Sequence, residues 1–151
     1  MINGQNFKIV AITPPAAIID NAAVTTTAVD TAGFDYCTIV LQLGATDIAM
    51  TALAVQESDA AASGFANVTG LIWGTSANTD GSTSALPIAT DDNLFQIAQV
   101  DLRGRKRYLD LSATVGDGTA GTYLSAFAIL TRADQTPTTM AEMGANEVLR
   151  V

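Results

Sequence analysis

Residues 107–130 read RYLDLSATVGDGTAGTYLSAFAIL, and this stretch decides the fold class. In its first half Leu109, Leu111 and Val115 alternate with polar side chains, which is typical of a strand with one buried face. In its second half large apolar residues occupy both alternating sets of positions, which predicts a central strand covered on both faces. The Asp-Gly pair at 117–118 is a common hairpin signal. The stretch therefore predicts two strands joined by a β-turn.

The same period of two recurs along the chain. It is found in FDYCTIVLQLG (34–44), MTALAVQES (50–58) and NLFQIAQVDL (93–102), and shorter strands are predicted at 16–20 and 23–29. No segment has the pattern of a long helix, and residues 58–93 are rich in Ser, Thr, Gly and Asn. These observations predict an all-β chain, most simply a two-sheet antiparallel β-sandwich that is jelly-roll-like and has a loop-rich insertion.

The 151 residues are expected to form one domain. Residues 1–15 are predicted to be an N-terminal arm or strand, and residues 137–151 a C-terminal arm. Within that arm Thr139 and Glu142 have the spacing of a capping box, although Gly144 limits any helix to about one turn. The N-terminus lacks the pattern of a signal peptide, and no apolar run is long enough to span a membrane. We therefore expect a soluble protein made in a cytosol.

The composition indicates that partners cover part of the surface. Hydrophobic residues make up 48% of the chain and charged residues 15%, with a mean hydropathy of +0.29. So few charges leave little hydrated surface, which favours an oligomer or a component of an assembly. The net charge of −8 opposes nucleic-acid binding.

Four of the seven basic residues lie together in RGRKR: Arg103, Arg105, Lys106 and Arg107. Contact with acidic protein surfaces, on the chain's own loops or on a neighbouring subunit, is the preferred interpretation, because arginine is enriched at interfaces. Nucleic-acid binding and simple solvation are the alternatives. We predict a partner contact.

The segment GDGTAG (116–121) has the spacing of a dinucleotide-binding loop. Such a loop needs a helix after it, so that the helix N-terminus faces the pyrophosphate. The residues that follow have the composition of a strand, so we predict a turn that binds no nucleotide.

Catalytic chemistry is poorly supplied. The chain has no histidine, and Cys37 lies in an apolar run where a free cysteine is usually a core residue. The acidic residues at 91–92, Glu57 and Asp59 could cluster, but such loop residues usually serve solvation or occasionally bind Ca²⁺. We predict a protein that is not an enzyme and has no cofactor or catalytic metal.

Residues 33–59, 74–87 and 91–134 resemble small structural proteins of tailed bacteriophages that are encoded near the major capsid protein. The most distinctive element is RGRKRYLDLSATVGDGTAGTY, and the resemblance covers roughly residues 33–136. It implies a capsid decoration, or cement, protein: a small β-sandwich on the outside of the capsid lattice, often a homotrimer.

The implied partners are the major capsid protein and other copies of the chain, and the implied location is the virion surface. Nucleic acid, membrane and small-molecule substrates are not expected as partners. Head-completion proteins and tail or receptor-binding proteins share this style of sequence and remain the alternative.

Overall fold

The computed structural model describes residues 6–149, and these form an all-β sandwich. The strands are β1 (Phe7–Thr13), β2 (Val29–Asp30), β3 (Phe34–Thr46), β4 (Ala52–Ser58), β5 (Ala66–Ile72), β6 (Phe95–Asp101), β7 (Tyr108–Thr114) and β8 (Thr122–Ala133). The described residues contain no α-helix, and a short 3-10 turn spans Ala89–Asp91.

The strands form two antiparallel four-stranded sheets. Sheet I has the order β1-β8-β3-β6 and sheet II the order β2-β7-β4-β5. Of the consecutive strands only β4 and β5 pair with each other, and every other connection crosses from one sheet to the other. This is the strand order of a jelly roll, so the fold predicted from the alternating sequence is confirmed.

One hydrophobic core fills the space between the sheets. It is built from the inward positions of the alternating strands, where Ile39, Leu43, Val55 and Leu109 are all at most 1% exposed. Cys37 belongs to the same core and is 1% exposed, as its apolar surroundings in the sequence predict. The two-residue period therefore places one half of each strand in the core.

The predicted hairpin at 117–118 is wrong. Strand β7 lies in sheet II and β8 in sheet I, so the loop between them crosses the sandwich. Loop amides are held by carboxylates from distant segments: Gly118 donates to Asp20 at 2.9 Å, and Ala120 donates to Asp47 at 2.6 Å. These contacts replace the backbone pairing of a two-residue turn.

Two further segments differ from the prediction. Where two short strands were expected at 16–20 and 23–29, the chain makes isolated bridges at Ile19 and Ala23, and of these residues only Val29 lies in a strand, β2. The loop-rich insertion at 58–93 contains β5, which has the sequence ANVTGLI and pairs with β4. Asn67, Thr69 and Gly70 interrupt its apolar residues and polar loops flank it, so the sequence pattern did not reveal the strand.

Part of the predicted C-terminal arm packs along the free edge of β1. Thr139 and Glu142 form the reciprocal hydrogen bonds of a capping box, and Gly144 ends the single turn with a positive φ of 72°. The Ile9 amide donates to the Met143 carbonyl at 2.8 Å, and Met143 is 2% exposed. The arm therefore covers the backbone of an edge strand. The arm's last two residues and residues 1–5 lie outside the described residues.

Candidate partner-binding surface

The outward side of sheet I carries a continuous surface without charge. In the strand register, Val40 of β3 lies between Phe127 of β8 and Ile97 of β6, and the neighbouring rows add uncharged polar and apolar residues. We call this surface the uncharged face; it consists of Ile9, Ala11, Thr38, Val40, Gln42, Phe95, Ile97, Gln99, Ser125, Phe127 and Ile129. Phe95 is 55% exposed and Ile97 56% exposed, so large apolar side chains stand in water there.

The uncharged face corrects the expectation that β8 is covered on both sides. The inward residues of β8 are buried, but Phe127 and Ile129 on its outward side are only half-buried. No second layer of the described chain packs over them, since the two sheets meet through their other faces. The outward side of β8 is therefore apolar, as in a strand covered on both faces, but no other part of the described chain covers it.

Sheet II presents a different outward side. Its central strands place Gln56, Asp110 and Ser112 outward, and Gln56 donates a hydrogen bond to Asn67 at 2.8 Å. This polar side is ordinary solvent-facing surface for an antiparallel sheet. The contrast makes the uncharged face of sheet I the unusual one.

The basic cluster lies between β6 and β7, and each of its cations has an acidic partner in the same chain. The pairs are Arg103–Asp101 at 2.5 Å, Arg105–Glu57 at 3.5 Å, Lys106–Asp59 at 3.7 Å and Arg107–Asp30 at 2.7 Å. The structure thus brings the four predicted residues together against the chain's own carboxylates, one of the two acidic surfaces expected. That they also contact a partner subunit stays a prediction.

These pairs shift the ionisation of the carboxyl groups. A side-chain hydrogen bond from Arg103 lowers the pKa of Asp101 to about 2, and the hydrogen bond from Arg107 lowers the pKa of Asp30. The same contacts raise the pKa values of both arginines. The cluster is therefore neutralised by its own carboxylates at neutral pH.

One end of the uncharged face is bordered by arginines. The guanidinium of Arg103 lies 5.9 Å and that of Arg132 5.2 Å from the centre of the Tyr36 ring, which projects outward from β3. Arg132 has a left-handed backbone with φ 55°. Within residues 6–149 no carboxylate forms an ion pair with Arg132. A polar rim of Tyr and Arg beside an apolar centre is the anatomy of a protein interface.

The GDGTAG segment is occupied by the chain itself. The amides of Thr119 and Ala120 donate to the Asp47 carboxylate at 2.5 and 2.6 Å, and these bonds, that of Ala120 foremost, lower the pKa of Asp47. The residues that follow are β8, so no helix N-terminus lies at the end of this loop. The amides that would bind a phosphate already bind a carboxylate.

Metal binding, thiol chemistry and membrane-spanning helices find little support in the described part of the chain. Within residues 6–149 no three His, Cys, Asp or Glu side chains gather to hold a metal ion. Burial raises the pKa of the Cys37 thiol to about 12. None of the helical segments in this range has the length and hydropathy to cross a bilayer. No family model matches the chain, and the comparison with curated proteins gave no match.

Sequence reasoning found the basic cluster but missed the uncharged face. The face is assembled from alternate residues of four strands that are far apart in sequence, so no contiguous segment displays it. One signal was available: apolar residues at both sets of positions in 122–132 indicated a second covered side.

Proposed function

We propose that this chain is a structural virion protein that binds the outside of a phage capsid lattice and stabilises it, without catalysis. The observation that carries the proposal is the uncharged face, a largely apolar sheet surface on a chain of net charge −8 that no other part of the described chain covers. An exposed apolar patch with a polar rim marks a protein–protein contact. The resemblance of residues 33–136 to decoration proteins supplies the class of partner, the major capsid protein.

The size of the face argues for a repeated contact. Four strands about 4.8 Å apart and three outward rows about 6.8 Å apart give an area of roughly 400 Å². A standard stable interface buries about 800 Å² on each partner. The face alone is about half of that, so it suits a protein held at many equivalent lattice positions through several contacts, where multivalency adds affinity.

Further contacts come from two sources in this proposal. The basic cluster adjoins the uncharged face through Arg103 and Tyr36, whose hydroxyl lies 3.4 Å from an Arg103 Nη atom. We propose that Arg103, Arg105, Lys106 and Arg107 form part of the rim that contacts a partner. Self-association, as the trimer that the resemblance implies, provides the other source.

Sedimentation with capsids tests the proposal. The purified chain should pellet with expanded capsids of the phage that encodes it, from which the chain itself is absent. Gln42→Lys places a charge in the uncharged face, and we expect binding to fall by at least about tenfold, or about 1.4 kcal/mol, because an unpaired charge loses hydration in the contact.

Ser112→Lys is the matched control on sheet II and should bind like the original chain. A chain that stays in the supernatant, or two lysine variants that bind equally well, would refute the proposal. Light scattering of the purified chain measures the self-association separately.

A further inference from the structure

The two edges of sheet I differ in whether their backbone is covered. At the β1 edge, the C-terminal arm accepts a hydrogen bond from Ile9 through the Met143 carbonyl. At the other edge, β6 pairs with β3 alone, and no other strand among residues 6–149 pairs with it. An exposed edge strand is a template for another strand unless it is blocked, and the one charged residue of β6 is Asp101 at its end.

The hydrogen-bond pattern shows which backbone groups of β6 face outward. Leu43 donates to the Leu94 carbonyl at 3.2 Å, and Leu102 donates to the Asp35 carbonyl at 2.9 Å. In an antiparallel pair the bonded positions alternate, so the even-numbered residues of β6 bond to β3. The N–H and C=O groups of Ile97 and Gln99 therefore point away from the sheet.

Ile97 and Gln99 also line a groove of about 440 Å³, together with residues of β5 and of the segment that follows it. The groove is lined by residues 97–99 of β6, residues 70–73, residues 76–79 and Ser84. Trp73 Nε1 donates a hydrogen bond to Gln96 Oε1 at 2.9 Å, which holds the lining residue Trp73 beside β6. All the lining side chains are uncharged, and the volume lies in the range of about 300–1,000 Å³ that bound ligands occupy.

We propose that this groove binds one extended, uncharged segment of the capsid protein, which adds to β6 as a further strand. The inference rests on the proposed function and names the site and the kind of segment that it takes. An extended backbone supplies the donors and acceptors that Ile97 and Gln99 need, as in other cases of strand addition. A charged segment would lose its hydration against a lining without a counter-charge.

The net charge of −8 favours a segment of a different protein over a second copy of the sandwich, because two acidic copies repel each other when their edges approach. A segment that adds to β6 at Ile97 and Gln99 also meets residues 76–79, which line the same groove.

Replacing Ile97 by proline tests the strand addition directly. Proline removes the outward N–H of Ile97 and leaves the β3–β6 bonds intact, since the N–H of residue 97 takes no part in them. We expect Ile97→Pro to weaken capsid binding by at least about tenfold, because a partner carbonyl loses its donor and the ring enters the strand's space. Ile97→Val keeps the N–H and most of the side chain, so its binding should fall far less than that of Ile97→Pro.

A second pair of variants does not alter the strand. Ala77→Asp places a carboxylate in the groove lining and should weaken binding, while Ala62→Asp changes an exposed position outside the groove and should not. Hydrogen exchange supplies a direct readout: capsid binding should slow exchange of the residue 97 and 99 amides in the original chain.

The outcomes separate the two proposals. If the original chain fails to bind capsids, the proposed function is refuted and this inference with it. If the chain binds but Ile97→Pro and Ala77→Asp bind equally well, and the two amides stay unprotected, the groove is not the site and the proposed function stands.

Discussion

Gly144→Ala should detach the C-terminal arm from β1. Gly144 has a φ of 72°, where an L-residue is strained, and a Cβ at this position would overlap the carbonyl of Ile9. The strain alone costs about 1–2 kcal/mol. The overlap is with backbone, which cannot rotate away, so the turn must move and break the Ile9–Met143 hydrogen bond.

The total cost is limited by what the arm contributes when it is docked. Burial of the Met143 side chain, which is 2% exposed, is worth about 1.5–3 kcal/mol, and a backbone hydrogen bond about 0.5–1.5 kcal/mol. If the strain exceeds the sum of these two contributions, the arm detaches, so the loss of stability cannot be larger than that sum. We therefore expect the free energy of unfolding to fall by about 2–4.5 kcal/mol.

Gly81→Ala is the matched control. Gly81 has a φ of 86°, and a Cβ there meets nothing within 4 Å, so only the strain remains. Urea unfolding compares the two variants, and hydrogen exchange follows the Ile9 amide, which should lose protection only in Gly144→Ala. Equal losses of stability in both variants, or an Ile9 amide that keeps its protection, would refute the reasoning.

Four further predictions follow from contacts described above. The free energy of unfolding should fall as pH drops from about 4 towards 2, because folding lowers the pKa values of Asp30, Asp47 and Asp101. The ionised carboxylates stabilise the fold above their unfolded-state pKa, and this stability is lost as pH falls through their folded-state pKa values. Urea midpoints measured against pH test this, and a flat profile would contradict it. Cys37 should react with a thiol reagent at pH 8 only after urea is added, since burial raises its pKa to about 12; rapid labelling of the native chain would be inconsistent with this. Isothermal titration with NAD or ATP should give no heat, because Asp47 holds the amides of GDGTAG; binding that Gly118→Val abolishes would show otherwise. The basic cluster should not retain duplex DNA, since each cation has its own carboxylate; retention with a log–log salt slope near −3.6, about 0.9 per phosphate for four contacts, would overturn this.

The strands could be predicted because their signal is local. Leu109, Leu111 and Val115 alternate within seven residues, and the same period marks β3, β4, β6 and β8. Burial of one face of a strand imposes this pattern directly, so sequence alone gives both the strand and its inward side.

Partners across the fold could not be predicted in the same way. Asp47 lies 72 residues before Thr119, whose amide it binds, and Asp30 lies 77 residues before Arg107. The local sequence of GDGTAG indicates a turn, and that of RGRKR indicates a free basic cluster. Neither local sequence reveals the distant carboxylate that binds the segment in the fold. The hairpin prediction failed for this reason.

The distribution of charge links these contacts to the proposed assembly. Because the basic cluster is neutralised by Asp30, Glu57, Asp59 and Asp101, the remaining acidic residues give the surface its net charge of −8. Like charges repel when copies or acidic partners approach each other, and that repulsion opposes most orientations. The outward side of sheet I carries no charge in its three central rows, so contact there places no carboxylate against another surface. The acidic surface thus favours docking through the uncharged face, and the apolar residues of that face supply the attraction.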